Sequence, residues 1–294
     1  MLFLLLTTPH KLKPLFGDGD RGVWGVGNGT QKTLSPNKHK KKGEKKNMKV
    51  LVACEESQVV TIAFRRLGHE AYSCDLFDCS GGHNEWHIKG NVVPLLNGNC
   101  MFMTEDRELH TIDGRWDIII AFPPCTYLSN AGARHLYKGG VLNSERYEKG
   151  LEAADFFMTI YEADCDCIAI ENPTPSLIYE LPQKSQVIQP WQFGHPYTKR
   201  TQLWLKGLPL LQPTHIVEPV ATWCPSGSYS GRHSDKHRGV FTRDRARNRS
   251  KTFSGIGNAM AEQWGAYNAL IREPDNEIDS LALLDDANIS NSNV

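Results

Sequence analysis

The segment Trp116-Asp117-Ile118-Ile119-Ile120-Ala121-Phe122 runs directly into Pro123-Pro124-Cys125, and that junction limits the fold more than any other stretch of the chain. An isoleucine-rich apolar run broken only by Asp117 reads as a strand buried on both faces, hence as part of a parallel sheet covered by helices. Pro124 holds Pro123 extended, and neither proline can donate to a sheet, so the strand must stop there. The Cys125 thiol is thereby carried on stiff backbone at the C-terminal edge of the sheet, where open α/β sheets receive their ligands. Such a thiol reacts if a cation or a helix N-terminus lowers its pKa. Taken alone, the tripeptide is more simply a packed, inert cysteine.

The rest of the pattern agrees with an α/β chain. Residues 48–54 read as a strand, 59–67 as a helix and Glu70–Asp75 as a second strand, the opening of a doubly wound, Rossmann-like parallel sheet. Residues 100–112 alternate around a charged centre and predict a hairpin. Ser144–Tyr161 predicts a helix whose Leu151, Ala154, Phe157, Met158 and Tyr161 form a core stripe. Residues 167–173, Cys-Ile-Ala-Ile-Glu-Asn-Pro, form another short apolar strand that ends in a carboxylate, an amide and a proline.

Charge divides the chain into parts. The formal net charge is zero, yet residues 1–47 carry ten Lys/Arg against three acids, and residues 273–294 carry six acids and no base. Both ends lack apolar periodicity and are expected to be disordered extensions flanking a domain at 48–272. Inside that domain, residues 231–251 hold eight Lys/Arg and two acids. With Phe241 and Tyr229 interleaved, this small basic insertion, within about 206–253, suits a phosphate backbone, the plainer reading being a solvated loop. The chain has 294 residues, 40% of them hydrophobic, and eight irregularly spaced cysteines. That composition predicts one α/β core in a cytoplasmic protein without disulfides. The opening MLFLLL is too short for a signal h-region or a membrane span, and no membrane association is expected.

Three further segments follow Cys125 in a definite order: Glu171-Asn172-Pro173, then Phe193-Gly194-His195-Pro196 with Tyr197, Lys199, Arg200 and Thr201, then Gly257-Asn258-Ala259 at the start of an apolar helix. Together with the Pro-Pro-Cys loop, these resemble the cytosine-C5 DNA methyltransferase family, in a divergent form, from residue 48 to about 270. In that family a PPC-type loop carries the nucleophile, an ENV-type loop a glutamate, and an FG-x-P segment precedes basic residues. A GNA-type segment then closes the domain.

The resemblance implies Cys125, Glu171, Lys199 and Arg200 as catalytic residues and S-adenosylmethionine as methyl donor. The chemistry asks for the same residue types. A thiolate added to cytosine C6 turns the ring into an enamine that can attack an electrophilic methyl group. Protonation at N3 by a carboxyl group with a raised pKa assists that addition. A turn or cap carboxylate is the other reading of Glu171, since Pro173 follows closely.

Cofactor contacts are expected from Cys54, Glu55, Ser57, Asp75, Asn91, Pro123 and Asn258. Asp75, ending the second strand, is the ribose candidate, and equally a turn aspartate. The family's glycine-rich first loop is replaced by Ala53-Cys54-Glu55-Glu56-Ser57-Gln58, its third-motif aspartate by Asn91, and the glutamine after the nucleophile by Thr126. Cys74, Cys79, His83 and His87 lie within fourteen residues, but their spacing is not that of a standard finger. They are read as part of a loop covering the cofactor, and no metal is expected. Cys165 and Cys167 read as packing residues.

DNA is the expected partner, with short or weak sequence specificity because the recognition insertion is short. Two alternatives stand beside that reading: a tRNA cytosine-C5 methyltransferase, and a methyltransferase-like nucleic-acid-binding protein without catalysis.

Overall fold

The computed structural model describes residues 47–133, 135–223 and 251–271, with the side chains of the last helix described to residue 268. The expected N- and C-terminal extensions, and all of the basic stretch except Lys251, lie outside the described residues.

Seven strands form one sheet in the order β10-β12-β9-β6-β1-β2-β3. In chain order the described elements begin with β1 (Lys49–Ala53), α1 (Val59–Arg66), β2 (Glu70–Asp75) and β3 (His87–Lys89). A hairpin of β4 (Cys100–Met103) and β5 (Leu109–Ile112) leads to β6 (Ile118–Ala121), then to the short helix α2 (Asn130–Ala133) and a small hairpin of β7 (Tyr137–Lys138) and β8 (Val141–Leu142). Next come α3 (Ser144–Tyr161), β9 (Ile168–Asn172), β10 (Gln186–Ile188), β11 (Tyr197–Thr198), β12 (Thr201–Lys206), β13 (Ala221–Thr222) and α4 (Ser254–Ile271). Strands β3, β2, β1, β6 and β9 are parallel, whereas β12 runs antiparallel to both β9 and β10. The result is mixed α/β with a large, mostly parallel sheet, compatible with a Rossmann-like fold.

The core follows from the two-residue period of the central strands. Val50 and Val52 of β1, with Ile118 and Ile120 of β6, face a layer containing Val60, Ala63 and Phe64 of α1 and Met260 and Trp264 of α4. Leu51, Ala53, Ile119 and Ala121 face the other layer, with Phe157 and Ile160 of α3, Trp116 and Trp204. Every residue of β6 is fully buried, as its unbroken apolar run requires.

Two expectations need correction. Leu151 is not a core residue: it is 39% exposed, and the inward face of α3 is formed by Gly150, Ala154, Phe157 and Ile160, with Met158 and Tyr161 partly buried. The face is rotated because Tyr179 lies where a side chain on residue 150 would stand, which draws the glycine, not its neighbour, inward. The segment read only as a covering loop also contains β3, whose His87 is wholly buried.

Among the described residues no helix is long and apolar enough to cross a membrane. The seven described cysteines are thiols, and Cys165 and Cys167 are buried, Cys165 Sγ contacting the Trp116 carbonyl at 3.4 Å.

Removing the Ile119 side chain from the centre of the sheet is expected to cost about 2–5 kcal/mol. Urea unfolding of Ile119→Ala against wild type measures it, and a loss below about 1 kcal/mol would contradict the packing described.

Candidate functional site at the C-terminal edge of the sheet

The strand order reverses between β1 and β6. After β1 the chain builds outward through β2 and β3, and it returns to the other side with β6 and β9. Ala53 pairs with Ala121, and the Phe122 N–H donates to the Ala53 carbonyl at 3.0 Å, so the loops leaving β1 and β6 diverge from one point. That divergence is the crevice in which open α/β sheets bind ligands.

On the β6 side, Pro123 is buried, Pro124 exposed and Cys125 half-buried. Ile170 pairs with Ala121, which puts Glu171 at the adjoining strand end. The two loops are then tied together. Asn172 Nδ2 donates to the Pro123 carbonyl at 3.2 Å, the Asn130 N–H to the Thr174 carbonyl at 2.8 Å, and the Ser176 N–H to the Leu128 carbonyl at 2.7 Å. Asn172 is fully buried, and its Oδ1 has no hydrogen-bond partner among the described residues. Orphaned buried acceptors are rare enough to mark a site that spends stability on position.

Burial pushes the Glu171 carboxyl above its ordinary value, while the Lys199 charge and a hydrogen bond from Thr201 pull it down. Burial wins, which favours a carboxyl that can hold a proton. Lys199 reaches this place because β12 is antiparallel: Gln202 pairs with Asn172 and Leu203 with Glu171, so the residues just before β12 arrive at the edge where β9 ends. Lys199 is half-buried, its backbone N–H held by Gln189 Oε1 at 2.9 Å and its ammonium 6.0 Å from the Phe253 ring centre. Arg200 is exposed, and of the two predicted cations it is Lys199 whose charge acts on Glu171.

The third and fourth motifs also meet. The Gly255 N–H, at the start of α4, donates to His195 Nε2 at 3.0 Å, and the His195 ring lies 5.0 Å from that of Phe253. Only glycine fits at 255, since a Cβ there would fall onto the Phe193 carbonyl oxygen. Trp223 and Phe253 flank the undescribed part of the insertion in sequence, and with Tyr197 their rings form one cluster, each pair about 5–6 Å apart. Sequence reasoning passed over His195 as a cap; its place four residues before Lys199 carries no signal of that role.

The β1 side holds the residues expected to contact a cofactor. Cys54 and Gln58 have φ of 59° and 56°, the left-handed conformation that glycine adopts without strain. The glycines are missing from the sequence, but the backbone they would permit is present. The Cys54 and Glu55 N–H groups both donate to the Cys74 carbonyl, at 2.7 and 3.3 Å. Gln58, fully buried, bonds to Ser73 Oγ and to both backbone groups of His83.

Glu55 turns inward: Oε1 accepts from the Val60 N–H at 2.7 Å, and Oε2 from the Thr61 N–H and hydroxyl at 3.2 and 2.8 Å. Its carboxylate caps α1, and burial outweighs the three hydrogen bonds and pushes its pKa up to about 7. Both oxygens are committed to the helix. Burial also pushes the Cys54 thiol up, leaving it protonated and unreactive at neutral pH. Ser57 is half-buried beneath the Gly81 turn.

Asp75 is half-buried at the end of β2, with Oδ1 accepting from the Phe77 N–H at 3.0 Å, and burial raises its pKa. Beside it Leu76 and Phe77 are 70% and 65% exposed. Asn91, exposed after β3, closes a turn by accepting from the Val93 N–H. Asn258 is exposed on α4, next to Gly257, which packs on Val59 at the start of α1.

No group of three or more metal-ligating side chains occurs among the described residues. His87 places one ring nitrogen 2.8 Å from Ser73 Oγ and the other 2.9 Å from the Phe77 carbonyl oxygen, and His83 stacks on Trp86 at 3.9 Å.

Comparison with models of known protein families gives no match, and comparison with curated proteins gives none either.

His195 accepts a hydrogen bond only when its ring is neutral, and burial lowers its pKa below the usual value near 6.5. A depressed folded-state pKa contributes stability that is present above the unfolded value and lost as pH falls through the folded one. The stability difference between wild type and His195→Ala is expected to be largest at about pH 8 and to shrink toward about pH 5. Denaturation of both proteins across that range tests the cap, and a constant difference would exclude it.

Proposed function

We propose that the chain is a cytosine-C5 methyltransferase acting on nucleic acid, DNA in the first instance, with Cys125 as nucleophile and Glu171 as proton donor. The observation that carries this reading is the clamp between the Cys125 and Glu171 loops. A half-buried thiol and a carboxyl with a raised pKa stand on neighbouring strand ends, tied by three hydrogen bonds. Nucleophilic addition to a pyrimidine ring needs that pair: a thiolate to bond C6 and an acid to neutralise the charge that reaches N3. The Cys125 thiolate bonds to C6 as the C5=C6 double bond opens, and the Glu171 carboxyl gives its proton to N3. Lys199 stabilises the carboxylate left behind. Once C5 carries the methyl group, loss of the C5 proton to water re-forms that double bond, breaks the S–C6 bond to release the thiolate, and N3 returns its proton to Glu171.

S-adenosylmethionine, when bound, supplies an electrophilic methyl group to C5. The residues at the β1 side fit such a ligand. Asp75 offers a half-buried carboxylate to ribose hydroxyls. Leu76 and Phe77 offer exposed apolar surface to a flat base. The left-handed turns at Cys54 and Gln58 draw backbone around the switch point as glycines would. Cys54 and Ser57 are the remaining contacts there. The sheet is accordingly read as a Rossmann-like methyltransferase sheet.

Mass spectrometry of nucleosides, after DNA and RNA have been incubated with the full chain and S-adenosylmethionine, is expected to give 5-methylcytosine from DNA. Product from RNA alone would select the tRNA enzyme. An oligonucleotide containing 5-fluorocytosine should form a covalent adduct that disappears in Cys125→Ser; an adduct that survives the substitution would rule out this nucleophile.

The Glu171 reading makes a further pH prediction. Activity that requires the protonated acid declines as pH rises through its pKa. Lys199 holds that pKa down, so Lys199→Ala should move the basic limb of the kcat/KM profile to higher pH. A limb that stays in place or moves down would separate Lys199 from Glu171.

A further inference from the structure

The chain leaves Cys125 through Tyr127, passes α2, makes the β7–β8 hairpin and enters α3. Between these parts lies an open groove of about 650 Å³ whose lining includes Tyr127, Tyr137, Lys138, Asn143, Arg146 and Lys149. Among the described residues of its lining, the permanent cations Lys138, Arg146 and Lys149 face one carboxylate, Glu145, which pairs with Lys149. Arg146 is fixed in place. Its guanidinium lies 5.1 Å from the Tyr127 ring centre and donates to the Thr126 carbonyl at 3.1 Å, one residue from the nucleophile.

The hairpin turns on Gly139 and Gly140, both left-handed at φ 58° and 82°, the two-residue turn that gives a tight, projecting tip. It leaves apolar surface uncovered: Tyr137 is 54% exposed and Val141 71%. None of the groove's lining residues belongs to the Glu171 or Asp75 sites.

We infer that this groove binds a single strand of nucleic acid beside the nucleophile, with Lys138, Arg146 and Lys149 on its phosphates and Tyr137 stacked on a base. The inference rests on the proposed nucleic-acid substrate and adds the surface that receives it. Three cations lining one open groove match a chain with one negative charge per nucleotide. Aromatic faces match bases released from a helix, whereas bases inside a duplex are already stacked. A small phosphorylated ligand fits less well, because the lining is mostly exposed and encloses nothing.

Binding of a short fluorescent oligonucleotide to the full chain, followed by anisotropy over a range of salt, tests this. A single strand is expected to bind more tightly than the same sequence as a duplex. Tyr137→Ala should weaken it by roughly tenfold. Lys138→Ala should flatten the dependence of log K on log salt by about 0.7, and Lys138→Glu should weaken binding further. These side chains are exposed, so folding is not at stake, and matching thermal melts check it.

Inorganic polyphosphate, which has charge but no bases, should compete poorly. Equal binding by wild type and the groove variants, equal affinity for duplex and single strand, or displacement by polyphosphate as effective as by oligonucleotide would each overturn the inference. Binding that behaves as expected without any 5-methylcytosine would leave the groove standing and remove the proposed reaction. Methylated product with unaffected groove variants would do the reverse.

Discussion

The pairing of β6 with β1 on one side and β9 on the other is the constraint on which the rest depends. Four residues, Ile118 to Ala121, are buried on both faces; all four pair with β1, and Ile119 to Ala121 also pair with β9. Their side chains enter two separate core layers, so a slip of one residue would exchange the layers and is strongly opposed. The strand therefore ends at a fixed point, and two prolines prevent it from continuing. The segments that carry Cys125 and Glu171 leave adjacent strand ends because of this register. The loop hydrogen bonds hold close what the sheet has already brought together.

The left-handed residues of the β1 loop show what such a site costs. A left-handed conformation disfavours each non-glycine residue by roughly 1–2 kcal/mol. Against this stand the hydrogen bonds of Cys54 and Glu55 to the Cys74 carbonyl and those of the Gln58 amide to Ser73 and His83, each contributing about 0.5–1.5 kcal/mol net. Five such bonds match or exceed the strain of two residues, so the loop is held in this shape. Strain that is over-determined by its surroundings and collects at a ligand crevice is where a bound molecule can repay it. Gln58 explains why the loop keeps its shape without glycine: a buried side chain supplies through hydrogen bonds what glycine supplies through conformational freedom.

Much of the framework was legible because it follows from periodicity. The helix at Ser144–Tyr161 and the strand at Glu70–Asp75 begin and end where the apolar pattern says, and the 100–112 hairpin forms. Features set by tertiary contact were not legible. Leu151 has the right spacing for the core, but Tyr179 turns α3 so that Gly150 faces in. Glu55 is expected as a ligand contact because it lies where the resembled family has its cofactor loop; nothing local reveals that its carboxylate folds back onto α1. The φ angles of Cys54 and Gln58 cannot be read from side-chain identity, and the absent glycines pointed the other way. Lys199 and Arg200 are adjacent and chemically alike, and only the antiparallel entry of β12 distinguishes them.

That antiparallel strand has the widest consequence for chemistry. A parallel strand beside β9 would begin at the opposite edge of the sheet, and its leading residues would be remote from Glu171. By reversing, β12 delivers Lys199 and Thr201 to the strand end where the carboxyl sits, and the residues before them, Phe193 to His195, anchor the first turn of α4. A carboxyl desolvated without a neighbouring cation would hold its proton too firmly to give it up, and one paired closely in water would never take it. Glu171 lies between these limits, raised by burial and restrained by Lys199 and Thr201. That balance comes from strand direction and could not arise from the Glu-Asn-Pro segment alone.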